Sequence, residues 1–204
     1  MKLSHIIYRG KSLKAAVDKF TALGFKVEYG SKEHPHNAVI YFSEGPYIEL
    51  LDSAPVSPFK LFLLRLMGKG GIADRFVNWG RGEEGFFEIC LENYVEDFSA
   101  EEKVMKSFGQ SYFITKSKRL DPKDRLLKWK MLFPMEKRLP FLMTYFNIDP
   151  KPKDFVHPNG FKKIKEVSYP VGQKEWIPLL KALCDDDDDL KLVEGAKEIE
   201  IVYE

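Results

Sequence analysis

One pattern, strand–helix–strand–strand–strand, occurs twice along this chain, and it restricts the fold more than any single motif does. In residues 1–52 it begins with the short apolar run Lys2 to Tyr8. Ser12 then caps a helix whose Leu13, Ala16, Val17 and Phe20 share one face, and Gly24 stands at its C-terminal end. Three strand-like runs follow: Phe25 to Tyr29, Ala38 to Phe42 and Tyr47 to Leu51. The last two are joined by the turn Ser43-Glu44-Gly45-Pro46. Residues 86–147 repeat the order. Phe86 to Glu92 reads as a strand, and Ala100, Val104, Met105 and Phe108 form a helical stripe between a Ser99 cap and Gly109. Tyr112 to Thr115, Leu126 to Phe133 and Leu139 to Phe146 read as strands.

The rest of the chain falls around these two modules. Residues 53–85 form a helical connector. Ser57-Pro58 starts a helix from Phe59 to Met67 that is apolar nearly all round and is broken by Gly68, Gly70 and Gly71. That helix suits core packing or a homodimer interface. Residues 161–204 read as a partial third copy, βαββ. It comprises a strand from Phe161 to Val171, a helix with Trp176, Leu179, Leu180 and Leu183 on one face, and a closing hairpin of Leu190 to Glu194 with Lys197 to Tyr203. Between them, Asp185 to Asp189 lacks the spacing of a calcium loop and reads as a solvated turn.

Several function classes are excluded by composition. The 204 residues carry a net charge of +1, which gives no electrostatic case for nucleic acid. No apolar run reaches membrane-spanning length or has the form of a signal peptide. Cys90 and Cys184 read as buried, reduced thiols, which places the chain in the cytoplasm. There is no phosphate-binding glycine loop, Gly-x-Ser-x-Gly elbow, CxxC or HExxH.

What is unusual is the polar content of two strands. Alternation puts Leu3, His5 and Ile7 on one face and Tyr47, Glu49 and Leu51 on one face of another strand. An imidazole and a carboxylate among such neighbours cost stability unless they are paired or ligated.

A His on the first strand and a Glu on the last strand of a βαβββ unit resembles the ligand pattern of the vicinal oxygen chelate superfamily. HIIYRGKSLKAAVDKFTALGFKVEYG resembles the opening of its glyoxalase-like domain family. HPHNAVIYF, PYIELLD, LPFLMTYF and HPNG resemble later segments of that family. The resemblance implies an α+β fold in which repeated βαβββ modules curl mixed sheets into a half-open barrel around a small-molecule site. It also implies that His5 and Glu49 ligate a divalent metal (Zn, Mn, Fe or Ni). Glu88, between Phe86 and Cys90 on the second module's first strand, would be a third ligand or a proton shuttle. The last strand of the second module offers no carboxylate or imidazole, so a four-ligand set is not evident.

Around that centre stand His36, which shares a face with Ala38, Ile40 and Phe42, and Asn37, with the alternative that Asn37 only binds backbone. Arg119 suits an anion clamp or a solvated basic loop, His157 a site residue or a plain Pro-Asn-Gly turn, and Trp129 and Tyr145 a pocket lining or core. Three functions remain open at this stage. One is a metal-dependent lyase, isomerase or dioxygenase acting on a small oxygenated metabolite. The second is a metal-free binding or resistance protein on the same cup. The third is an interaction module that dimerises through its apolar helix.

Overall fold

The computed structural model describes residues 1–52, 54, 56–184, 187–195 and 198–204. Its main body is one eight-stranded sheet in the order β2-β3-β4-β1-β5-β8-β7-β6. The first half contributes β1 (Lys2–Arg9), α1 (Leu13–Ala22), β2 (Glu28–Tyr29), β3 (Asn37–Ile40) and β4 (Tyr47–Leu51). After α2 (Pro58–Leu66) and α3 (Gly70–Trp79), the second half contributes β5 (Gly85–Asn93), α4 (Ser99–Ser107), β6 (Tyr112–Leu120), β7 (Leu126–Pro134) and β8 (Phe141–Thr144). In each half the first strand lies parallel to the last, which pairs antiparallel with the strand before it. The halves meet where β1 and β5 run antiparallel at the centre. The result is the mixed, curled half-barrel.

Local chemistry explains most boundaries. The Ser12 hydroxyl accepts from the Ala15 amide at 3.1 Å, and Ser57 caps α2 with Pro58 at its first position. Gly24 and Gly109 take the left-handed conformation after α1 and α4. Ser99, by contrast, is already helical and caps nothing with its side chain. Asp97 does that work, its Oδ1 accepting from the Ser99 amide at 2.9 Å. Gly68 does end α2, yet Gly70 and Gly71 open a second helix, α3. Gly71 has room for no side chain, because a Cβ there would run into the Met135 carbonyl oxygen.

Alternation along the strands separates two cores. Ile6, Tyr8, Ile48 and Leu50 face the convex side, where α1 and α4 lie. Ile7, Leu51, Cys90 and Phe141 face the concave side, covered by Ile72 and Trp79 of α3. The C-terminal segment packs on the convex side, through Ile164, Val167, Leu179 and Leu183, so it leaves the cup open. It consists of β9 (Ile164–Val171), a short 3₁₀ turn, α5 (Ile177–Cys184), β10 (Leu190–Glu194) and β11 (Glu200–Tyr203). The expected hairpin is not formed. β10 lies parallel on one edge of β9 and β11 antiparallel on the other.

Of the aspartate run, residues 185 and 186 lie outside the described residues. Asp187 is buried, not solvated, and accepts from the Leu3 amide, tying this segment to β1. On α2, Phe59, Phe62, Leu66 and Met67 stand exposed. This is the face to which the sequence assigns a homodimer contact.

Candidate functional site

The concave face encloses a cavity of about 680 Å³, within the range of small-molecule sites. Its floor comes from the two central parallel strands of the first half. His5 sits one residue past a bulge in β1, and Ile7 pairs with Glu49 on β4. The bulge at Ser4 alters the expected alternation. Leu3 joins the convex core while His5 and Ile7 face the cup. On β4, Tyr47, Glu49 and Leu51 all line the cavity, as alternation requires.

The His5 and Glu49 side chains meet at 3.3 Å, Nε2 to Oε2. The other Glu49 oxygen, Oε1, accepts from the Asn37 amide. Burial on its own would push the Glu49 carboxyl up. The His5 ring, the Asn37 amide and the more distant Arg119 guanidinium outweigh burial and hold it below the usual carboxylate range. His5 is stacked on Tyr47 at 4.7 Å and meets the edge of Phe141.

A polar chain behind the ring sets its orientation. The Ser4 hydroxyl donates to Glu92 Oε2 at 2.7 Å, so its lone pair is left for His5 Nδ1, 3.0 Å away. This arrangement puts a proton on Nδ1 and turns Nε2 toward Glu49, so a ring that also carries a proton on Nε2 faces the carboxylate as its ion-pair partner; no hydrogen bond aligned with Nε2 is made among the described residues. A pair of this kind can orient a carbonyl or hydroxyl oxygen of a ligand, or pass one proton to or from it.

The other sequence-derived candidates separate clearly. Asn37, Trp129 and Arg119 line the cavity, and exposed His36 stands at its edge. His36 does so from the loop before β3, not from the face it was expected to share, because Ala38, Ile40 and Phe42 face the convex core. Arg119 donates to the Gly30 carbonyl oxygen and to the Tyr41 hydroxyl, the latter at 3.3 Å. Burial pushes that Tyr41 hydroxyl up to about 12, so it stays protonated.

Three candidates lie away from the cavity wall. Glu88 is held by Arg75 and by the Trp79 indole N–H under α3. Tyr145 lies against Tyr94 with the rings tilted at 36° and donates to Asp149 at 2.6 Å. His157 is buried on the convex side among Phe25, Phe42 and Phe155, and its Nδ1 accepts from the Lys26 amide at 3.0 Å. Sequence reading missed Gly30, Lys60, Phe76, Trp79 and Met143 as cavity residues. A Gly just after a strand and scattered aromatics carry no local signal of a shared pocket.

Two consequences are measurable. A Cβ at residue 30 would collide with the Asn37 side chain and with Arg119 Nη1. Gly30→Ala is therefore expected to cost about 1–3 kcal/mol of stability and to weaken ligand binding; urea denaturation and calorimetry measure the two. For His157, burial lowers the ring's pKa below 6.5. As pH falls through 6.5 the unfolded chain takes up this proton first, so stability is lost on acidification. Unfolding at pH 7.5 and 5.5 should show a smaller loss for His157→Gln than for the wild type.

The donor set bears on the metal expectation. Among the described residues no group of three or more His, Cys, Asp or Glu side chains is placed to hold an ion. His5 and Glu49 supply two donors, and Glu88 is engaged by Arg75. The second half brings Cys90 opposite His5, and Phe141 and Met143 on β8. Burial drives the Cys90 thiol well above its ordinary pKa, with the Glu92, Glu49 and Glu88 carboxylates adding to the shift, so it remains a thiol. An open catalytic site takes three protein ligands, and these residues do not fit one.

Paired βαβββ halves forming one curled sheet, with a His–Glu pair on its concave side, define a protein of the vicinal oxygen chelate class. A family model described as a glyoxalase-like domain matches residues 3–184. The chain belongs to that family. No curated protein matches. Among solved structures, a glyoxalase I mutant from Zea mays is similar at 14% identity and a TM-score of 0.40, over 89% of this chain and 53% of that one. The chain thus spans about half the length of that enzyme.

Proposed function

We propose that this glyoxalase-like protein binds a small, largely apolar molecule in its cup and holds the molecule's polar group against His5 and Glu49, with no metal bound by the protein. The observation that carries the reading is the His5–Glu49–Asn37 cluster at the floor of a cavity lined mainly by apolar side chains. Tyr47, Phe76, Phe113, Trp129, Phe133 and Phe141 offer ring faces and edges for the apolar body. A hydrocarbon floor would fold more cheaply than a buried imidazole and carboxylate, so the pair is best explained by what it does for a ligand. Of the activities known on this fold, sequestration as in resistance proteins requires nothing that these residues lack. A metal-dependent lyase, isomerase or dioxygenase requires a third ligand.

Metal analysis of protein purified without chelator tests this directly, with wild type beside His5→Ala and Glu49→Ala. The expected result is metal far below one equivalent in all three. Near-stoichiometric divalent metal that falls in both variants would overturn the proposal in favour of the metal-dependent enzyme.

A further inference from the structure

The cavity wall carries more positive than negative charge, and its cations are unmatched. Lys60 on α2 and Lys118 and Arg119 on β6 all border it, while Glu49 is its one carboxylate among the described residues. None of the three cations forms an ion pair among the described residues. Arg119 is the informative member. It is partly withdrawn from water, and its guanidinium is bonded only to neutral oxygens, the Gly30 carbonyl and a Tyr41 hydroxyl that stays protonated. Those bonds fix its position without neutralising its charge. Glu49 feels that charge only from a distance, its oxygens being given to Asn37 and His5, so no carboxylate rests on the guanidinium.

From this arrangement we infer that the ligand of the cup is an amphipathic anion: an apolar aryl or alkyl body that carries one carboxylate in addition to the hydroxyl or carbonyl group held by His5 and Glu49. The body lies against the aromatic wall, and the carboxylate lies on the Arg119 guanidinium, with Lys60 and Lys118 elsewhere on the cavity border. A planar guanidinium presented at the edge of an apolar cavity is matched to a carboxylate in charge and in shape. The low dielectric of such a cavity strengthens the attraction over that of an exposed pair. The inference rests on the proposed function, since it names the ligand class for the same cup.

The test compares two matched pairs by titration calorimetry, each with a hydroxyl for His5 and Glu49: 3-hydroxydecanoate with decane-1,3-diol, and 3-hydroxy-2-naphthoate with 3-(hydroxymethyl)-2-naphthol. In at least one pair the anion is expected to bind about tenfold more tightly than the alcohol at low salt. The preference should shrink as salt is raised. It should fall to about threefold or less in Arg119→Gln, which keeps a polar side chain there but removes the charge. Alcohols that bind as tightly as their acids would overturn the anion and leave the cup reading standing. An anion preference unchanged in Arg119→Gln would also overturn it, because the guanidinium would then not provide the recognition. Absence of binding by all four compounds would instead count against the proposed function itself.

Discussion

Arg75→Leu should destabilise the protein by about 3–5 kcal/mol, the largest single-residue effect expected outside the apolar core. Arg75 is 1% exposed and closes the α3 cover onto the sheet. It pairs with Glu88 and also donates to the carbonyl oxygens of Glu136 and Leu139, at 3.0 and 2.8 Å. Leucine removes the cation and strands the Glu88 carboxylate, with the Trp79 N–H as its remaining donor. Burial already pushes the Glu88 carboxyl above its usual range, against the opposing pull of Arg75 and Trp79. Without Arg75 it would take up a proton at higher pH still. The double variant Arg75→Leu/Glu88→Leu strands no charge and should recover part of the loss. Urea denaturation measures both. A loss below about 1 kcal/mol for Arg75→Leu would show that the pair does not hold α3 in place.

The opposite balance is expected at the cavity floor. Replacing both members of a buried ionic pair by apolar residues is often neutral, or stabilising by about 1–4 kcal/mol. His5→Leu/Glu49→Leu should accordingly unfold at the same urea concentration as the wild type or a higher one, while ligand affinity drops at least about tenfold. The single variant His5→Leu should be less stable than the double, because Glu49 then keeps its charge with Asn37 as its remaining close partner. This pattern separates a pair kept for ligand binding from a pair kept for folding. If the double variant loses several kcal/mol and still binds ligand, the pair is structural.

These two clusters also show what could be read from the chain. His5 and Glu49 were legible because each interrupts an apolar strand at a position whose neighbours fix the face. Their mutual approach followed from β1 and β4 lying side by side, as in any βαβββ unit with this strand order. The Ser4 bulge was not legible, since a bulge depends on the partner strand β5, and it changed which residue shares a face with His5. Glu88 looked like a third ligand for the same reason that His5 looked like a first. Its partner Arg75 lies on a helix hidden by Gly70 and Gly71, two residues that normally argue against a helix. The closing hairpin failed on a non-local choice. Two adjacent strand-like segments can pair with each other or flank a third, and here they flank the eight-residue β9, one on each edge. His157 sits in a good turn sequence, but only the packing of Phe25, Phe42 and Phe155 around it reveals that it is buried on the convex side.

The central claim is that the cup binds its ligand through His5 and Glu49 without a metal held by the protein. Calorimetric titration of the tightest of the four aryl and alkyl probes, before and after exhaustive dialysis against EDTA, tests it most directly. The account predicts the same affinity in both states and at least about a tenfold loss in His5→Leu/Glu49→Leu. Binding that disappears with EDTA and returns on adding Zn²⁺, Mn²⁺, Fe²⁺ or Ni²⁺ would contradict it.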